Sequence, residues 1–208
     1  MEGHSHVIVA LAGAVAVDSL VGQFTGTPLS GPLLTTPMSQ PATLSILVIK
    51  GIFYLGVAIG GLTPDIDNAR STLGQKLGFI SKEIMHHFGH RTIMHSLIGL
   101  GIFTALAFGA QQLVVNFLAS HLPDKHEVQV IDGSKALWLA LVLGYILHLF
   151  GDSLTEEGIP IFWPAKWHLG FPPFRSLRFR AGSWAEPIAV WLIVILVGVG
   201  LWQNVIHL

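Results

Sequence analysis

Five long apolar runs divide this chain, and they leave its backbone few choices. They extend roughly from Val7 to Phe24, Leu44 to Leu62, Ile93 to Ala119, Ala136 to Gly151 and Pro187 to Ile206. Inside hydrocarbon, backbone N–H and C=O groups must be bonded within the protein, which favours helices. A helix needs about 20 residues to cross a hydrocarbon core of about 30 Å. The second, third and fifth runs meet that length easily, whereas the first and fourth are short. We expect an all-α, polytopic membrane bundle of about five spans. At 208 residues it forms one membrane-embedded domain, 1–208.

Composition points the same way. Hydrophobic residues make up 51% of the chain and charged residues 11%, against about 25% charged in soluble domains. Mean hydropathy is +0.64. The net charge of −1 offers no basic field to nucleic acid. Cysteine is absent, which excludes disulfides, zinc–thiolate sites and thiol nucleophiles. The first run lacks a basic leader and carries Asp18, so it reads as a retained helix rather than a signal peptide. The Pro/Thr/Ser/Gly-rich stretch from Thr25 to Thr43 reads as a connecting loop.

Loop charge assigns an orientation. The Thr63–Thr92 connection carries Arg70, Lys76, Lys82 and Arg91, and the Asp152–Glu186 connection carries Lys166, Arg175, Arg178 and Arg180. The Thr25–Thr43 loop has no basic residue, and the His121–Lys135 loop has only Lys125 and Lys135. The positive-inside rule puts the two basic connections and the N-terminus in the cytoplasm.

His and Asp residues sit where such a chain tolerates them least, at the ends of the apolar runs. Three clusters stand out: Asp65 and Asp67, His90 with Arg91 and His95, and His148 with Asp152. All fall on the predicted cytoplasmic side, as do His4 and His6, whereas His121, His126 and His207 fall opposite. Carboxylates and imidazoles are the donors that hold a divalent metal.

Each cluster also has a plainer reading. His148 and Asp152, four apart, share one helix face, which suits either a metal or a helix-end hydrogen bond. Pro64 directs the next residues away from a helix. In extended backbone Asp65 and Asp67 point the same way and can chelate or bridge ions, or they cap a solvated turn. His90 and His95 flank the third span, with Thr92 as its N-cap and Arg91 available to stabilise a developing anion. They are otherwise a pair of interfacial histidines. His86 and His87 read as interfacial residues of an amphipathic helix through Leu77–Phe88.

Other features favour structural roles. Ser183 and Glu186 have the spacing of a capping box opening the fifth helix. Arg175, Arg178 and Arg180 suit lipid headgroups or a substrate phosphate equally. Asp18 and Lys50 lie at matching depths, roughly 18–20 Å from the cytoplasmic ends, and read as an interhelical ion pair. The six Trp suit interfacial belts.

Taken in order, GLTPDIDNARSTLGQKL, FGHRTIMHSLIG and LGYILHLFGDSLTEEGIPIFWP resemble the YdjM-like membrane-bound metal-dependent hydrolases. The match extends to Gly3-His4 near the start and to Arg180-x-Gly182-Ser183 late. Thr63 and Asn68 depart from the residues common in relatives, Leu and His. The resemblance implies metal ligation by His4, Asp65, Asp67, His90, His95, His148 and Asp152. It also brings a distant similarity to the zinc-dependent phospholipase C and nuclease fold, which implies two or three zinc ions.

The expected function is therefore that of an inner-membrane hydrolase whose site faces the cytoplasm. It would use metal-activated water on a phosphoester of a lipid or polyprenyl-type substrate, with Arg91 steadying the oxyanion and Asp67 ligating or taking a proton. Two rivals differ in kind: a zinc amidase or ceramidase-like enzyme, and a non-enzymatic metal-binding or transport protein. Transport would place the donors at mid-membrane depth rather than on one side. The expected partners are the lipid bilayer and a lipid or lipid-linked substrate.

Overall fold

A computed structural model describes residues 1–30, 44–121 and 127–206. Among these residues there are seven α-helices and no strand. They are α1 (Gly3–Thr25), α2 (Leu44–Leu62), α3 (Thr72–Lys76), α4 (Gly78–Phe88), α5 (Leu97–Ala119), α6 (Glu127–Ser153) and α7 (Ala185–Ile206). Five helical stretches are long and apolar enough to span a membrane: Gly3–Thr25, Leu47–Asp67, Leu97–Leu118, Gly133–Ser153 and Ala185–Gln203. The two runs that looked short are completed by polar residues at their ends. Thus α1 reaches 23 residues and α6 reaches 27.

The centre of the bundle is α6, which packs against α1, α2 and α5. Half of its apolar span is buried, against 6% for α5 and 11% for α7. Leu106, Leu113, Leu196 and Trp202 accordingly project outward from the outer helices, as lipid-facing residues should.

Small residues at four-residue spacing explain the tight centre. On α6 the buried stripe is Ala136, Ala140, Gly144, His148 and Asp152; on α1 it is His6, Ala10, Ala14, Asp18 and Gly22. Such stripes let helix backbones approach closely in a membrane. Gly60 and Gly144 require that approach. A Cβ on Gly60 would overlap the backbone of Leu141, and one on Gly144 would overlap the backbone of Val57.

Several local expectations change. Pro64–Asp67 forms a 3₁₀ turn rather than extended backbone. Ile93–His95 is another 3₁₀ turn, and α5 begins after Ser96, whose hydroxyl caps Gly99 N–H at 3.2 Å. Thr92 is not the cap: its hydroxyl bonds back to the carbonyls of Phe88 and Gly89. Ser183 and Glu186 do not form a capping box. Among the described residues the Ser183 hydroxyl has no partner, while the Glu186 carboxylate accepts from Gly182 N–H at 2.7 Å and Glu2 N–H at 2.8 Å. It thereby ties the start of α7 to the start of α1.

Asp18 and Lys50 are not in direct contact. Ser30 stands between them, accepting from Lys50 Nζ at 2.9 Å and donating to Asp18 Oδ2 at 2.5 Å. Asp18 also accepts from Ser30 N–H at 2.7 Å and the Tyr54 hydroxyl at 3.3 Å. The shorter Ser30 side chain supplies hydrogen bonds where a direct ion pair was expected. His126 and His207, and most of the Thr25–Thr43 loop, lie outside the described residues.

Candidate metal centre

Five element ends meet at one end of the bundle: the starts of α1, α5 and α7 and the ends of α2 and α6. Four of the seven sequence-predicted ligands converge there, namely Asp65, His95, His148 and Asp152. All are buried. A fifth donor, His6, joins them from α1.

The orientation of His148 follows from the α2–α6 contact. Its Nδ1 lies 2.6 Å from the Gly61 carbonyl oxygen. A carbonyl can only accept, so Nδ1 carries the proton and Nε2 presents its lone pair to the cluster. His95 Nε2 lies 3.2 Å from His148 Nε2. Asp152 Oδ2 lies 3.3 Å from the first and 3.6 Å from the second. Asp65 Oδ1 is 3.9 Å from both nitrogens.

Asp152 divides its two oxygens between tasks. Oδ1 accepts from the Met1 amino group at 2.8 Å and lies 3.3 Å from Arg91 Nη2 and from His6 Nε2. Among the described residues Oδ2 is buried without a hydrogen bond, as are both ring nitrogens of His6 and His95 Nδ1. The His6 ring stacks on His148 at a centroid distance of 3.7 Å.

The orphaned Asp152 Oδ2 and the Nε2 atoms of His95 and His148 are also spaced as donors to one cation. Bonds of about 2.0–2.1 Å in a tetrahedral zinc site place neighbouring donors about 3.3 Å apart. The separations among His95 Nε2, His148 Nε2 and Asp152 Oδ2 are 3.2, 3.3 and 3.6 Å. Among the described residues two overlapping groups can hold an ion: His95, His148 and Asp152, and His6, Asp65 and His148. The donor set contains only nitrogen and oxygen.

Asp67 and His90 form an adjoining layer. In a 3₁₀ turn, with about three residues per turn, side chains two apart diverge, so Asp65 meets the Nε2 edge of His95 and Asp67 its Nδ1 edge. Asp67 Oδ1 meets His90 Nδ1 at 2.8 Å, and Oδ2 accepts from Arg91 N–H at 3.0 Å while lying 3.3 Å from His95 Nδ1. A carboxylate behind an imidazole fixes the ring's orientation and raises its basicity. Burial alone would push the His95 imidazole down, but the carboxylates of Asp152 and Asp67 outweigh it and hold the group at about 9. Arg91 has a left-handed backbone, φ 54°, unusual for a non-glycine residue. That turn directs its N–H to Asp67 and its guanidinium to Asp152 and Glu157.

His4 is not brought into the cluster. Its side chain is 72% exposed and lies beside Glu2. His6 takes the inward position, and the sequence carried a signal for it: Ala10, Ala14, Asp18 and Gly22 follow His6 at four-residue intervals, and His4 is off that stripe. His86, His87 and His121 are exposed and lie outside the site.

Fold and site together define a multi-pass, all-helical membrane protein with a buried His/Asp group able to hold a metal ion. The family model described as YdjM inner membrane protein matches residues 1–206, and the chain belongs to that family. The inner membrane protein YdjM of Escherichia coli (strain K12) is 37% identical over 111 residues, covering 53% of this chain and 48% of that protein. The Shigella flexneri protein of the same name aligns with the same identity and coverage. These matches thus span about half the length of those curated relatives. The uncharacterized protein YvsG of Bacillus subtilis (strain 168) is 29% identical over 134 residues, 64% of this chain and 68% of that protein. No solved structure matches.

Proposed function

We propose that this chain is a metal-dependent hydrolase of the inner membrane whose site faces the cytoplasm. The observation that carries the reading is the close approach of His95 Nε2, from the turn before α5, to His148 Nε2 and Asp152 Oδ2 of α6, with Asp152 Oδ2 left without a hydrogen bond among the described residues. His148, His95 and Asp152 would hold the ion, with Asp65 and His6 beside them. The two donor groups share His148, whose Nδ1 is taken up by Gly61, and we take them as the site of one ion. The resemblance implies two or three zinc ions, and Asp65 and His6 are the donors a second ion would use. A divalent ion bound there would supply Lewis acidity that makes water nucleophilic near neutral pH.

The chain's own groups would do the rest. Asp65, 9% exposed at its side chain while Asp67 and Asp152 are fully enclosed, is positioned to take a proton from water. Asp67 acts as a positioning residue, since both oxygens are engaged by His90, Arg91 and His95. Arg91 reaches the cluster edge and would steady an oxyanion. The donors lie at the ends of the spans rather than midway, which favours surface chemistry over transport.

The test combines metal analysis of the purified full chain with hydrolysis assays on phosphodiester, phosphomonoester and amide lipids. A phosphoester activity lost on chelation, and lost in His148→Ala with membrane insertion intact, is expected. Stoichiometric metal with amide cleavage alone would instead support the amidase reading.

A further inference from the structure

A cavity of about 730 Å³ opens beside the cluster, between the His90–Thr92 turn and the connection that leads from α6 to α7. That volume suits a small-molecule site. His90 and Arg91 belong to both the cavity wall and the cluster edge. The connecting segment is pinned over the bundle end by backbone bonds from Leu97 to Ile161, Phe171 to Ser153 and Glu156 to Phe179.

The three arginines that sequence left equivalent now separate. Arg175 and Arg178 line the cavity, and Arg180 does not. Arg178 is fixed by the carbonyls of Pro172 at 2.7 Å and Pro173 at 2.8 Å, in space that a Cβ on Gly170 would fill. Carbonyl partners orient a guanidinium without cancelling its charge. Among the described residues, neither Arg175 nor Arg178 has a carboxylate within 4.0 Å. Arg91 is different: Glu157, a 68% exposed side chain, occupies one edge of its guanidinium. Glu157 thus sits where an incoming anion would bind. Phe162, Trp167, Phe171 and Phe174 of the same connection are exposed by more than half, as suits side chains at a bilayer interface.

We propose that this cavity seats the phosphate group of a lipid. Arg175 and Arg178 hold phosphate oxygens, and Arg91 exchanges Glu157 for the ligand at the edge of the metal-binding cluster. The exposed aromatic side chains of the same connection keep the acyl-bearing part at the membrane surface. Cleavage of the bound lipid rests on the hydrolase reading; the binding itself does not.

The experiment measures calorimetric binding by the full chain in detergent micelles, using dihexanoyl phosphatidic acid, inorganic phosphate and dihexanoylglycerol. Wild type should bind the phosphatidic acid most tightly and the uncharged diacylglycerol not at all. Arg175→Gln should weaken phosphatidic acid binding about tenfold with metal content unchanged, and Arg180→Gln should change it by less than about twofold. Glu157→Gln should tighten binding by removing the competing carboxylate. Equal losses in Arg175→Gln and Arg180→Gln, or diacylglycerol binding as well as phosphatidic acid, would overturn the phosphate site. Equal affinity for inorganic phosphate would overturn its lipid half. Arginine-dependent binding by a protein that holds no metal would sink the hydrolase reading and leave this site standing.

Discussion

The Nδ1–H of His148 donates to the carbonyl oxygen of Gly61 at 2.6 Å, across the contact between α2 and α6. The bond links packing to chemistry, because the lone pair on Nε2 points into the cluster only while the two helices stay close. Gly60→Ala places a methyl group against the Leu141 backbone, which cannot yield as a side chain would. We expect a loss of about 1–3 kcal/mol in stability together with weaker metal retention. Thermal unfolding and metal stoichiometry on the same preparation check both.

His4 and His6 separate the buried stripe from the family motif. His6→Ala should lower metal affinity by about tenfold or more, whereas His4→Ala, at an exposed position, should leave it unchanged. Competition against a metal-sensitive dye reads the difference. Loss in His4→Ala alone would contradict the helix register.

The Ser30 bridge makes an independent prediction. Ser30→Ala leaves Asp18 buried with fewer donors and should cost about 1–3 kcal/mol. Asp18 lies 12 positions beyond His6, roughly 18 Å along the helix, so metal content should not change. A drop in bound metal would show that the two polar groups are coupled.

Five spans and the placement of the His/Asp donors near their ends were legible because hydrocarbon imposes them on any sequence. Finer features were not. Asp65 and Asp67 diverge because Pro64 opens a 3₁₀ turn, and no pattern distinguishes that turn from extended backbone. Thr92 and Ser96 are both capping types, and only the path of the chain through Ile93–His95 decides between them. Ser30 could not be foreseen between Asp18 and Lys50, since a loop residue has no periodicity. His6 was legible in principle, through the small residues that share its face.

Orientation is testable directly. Cysteines placed at Glu83, exposed on α4, and Ser120, exposed at the end of α5, should label from opposite sides of the membrane. The basic connections predict Glu83 on the cytoplasmic side. Labelling from the same side would contradict the five-span arrangement.

The charge state of His95 gives a pH dependence. Its folded value, about 9, lies above the ordinary 6.5. The stabilisation is therefore complete below 6.5 and is lost as pH rises through about 9. Metal-free protein should lose stability over that window, while metal binding, which must displace the proton, tightens across it. Denaturation and metal titration at a series of pH values should show opposite slopes.

X-ray absorption at the metal edge, on the purified full chain, bears most directly on the central claim. We expect one divalent ion per chain in a shell of nitrogen and oxygen at about 2.0–2.2 Å for zinc, with imidazole scattering that weakens in His148→Ala and in His95→Ala. A chain without stoichiometric metal, or one whose metal shell is the same in wild type and both variants, would contradict it.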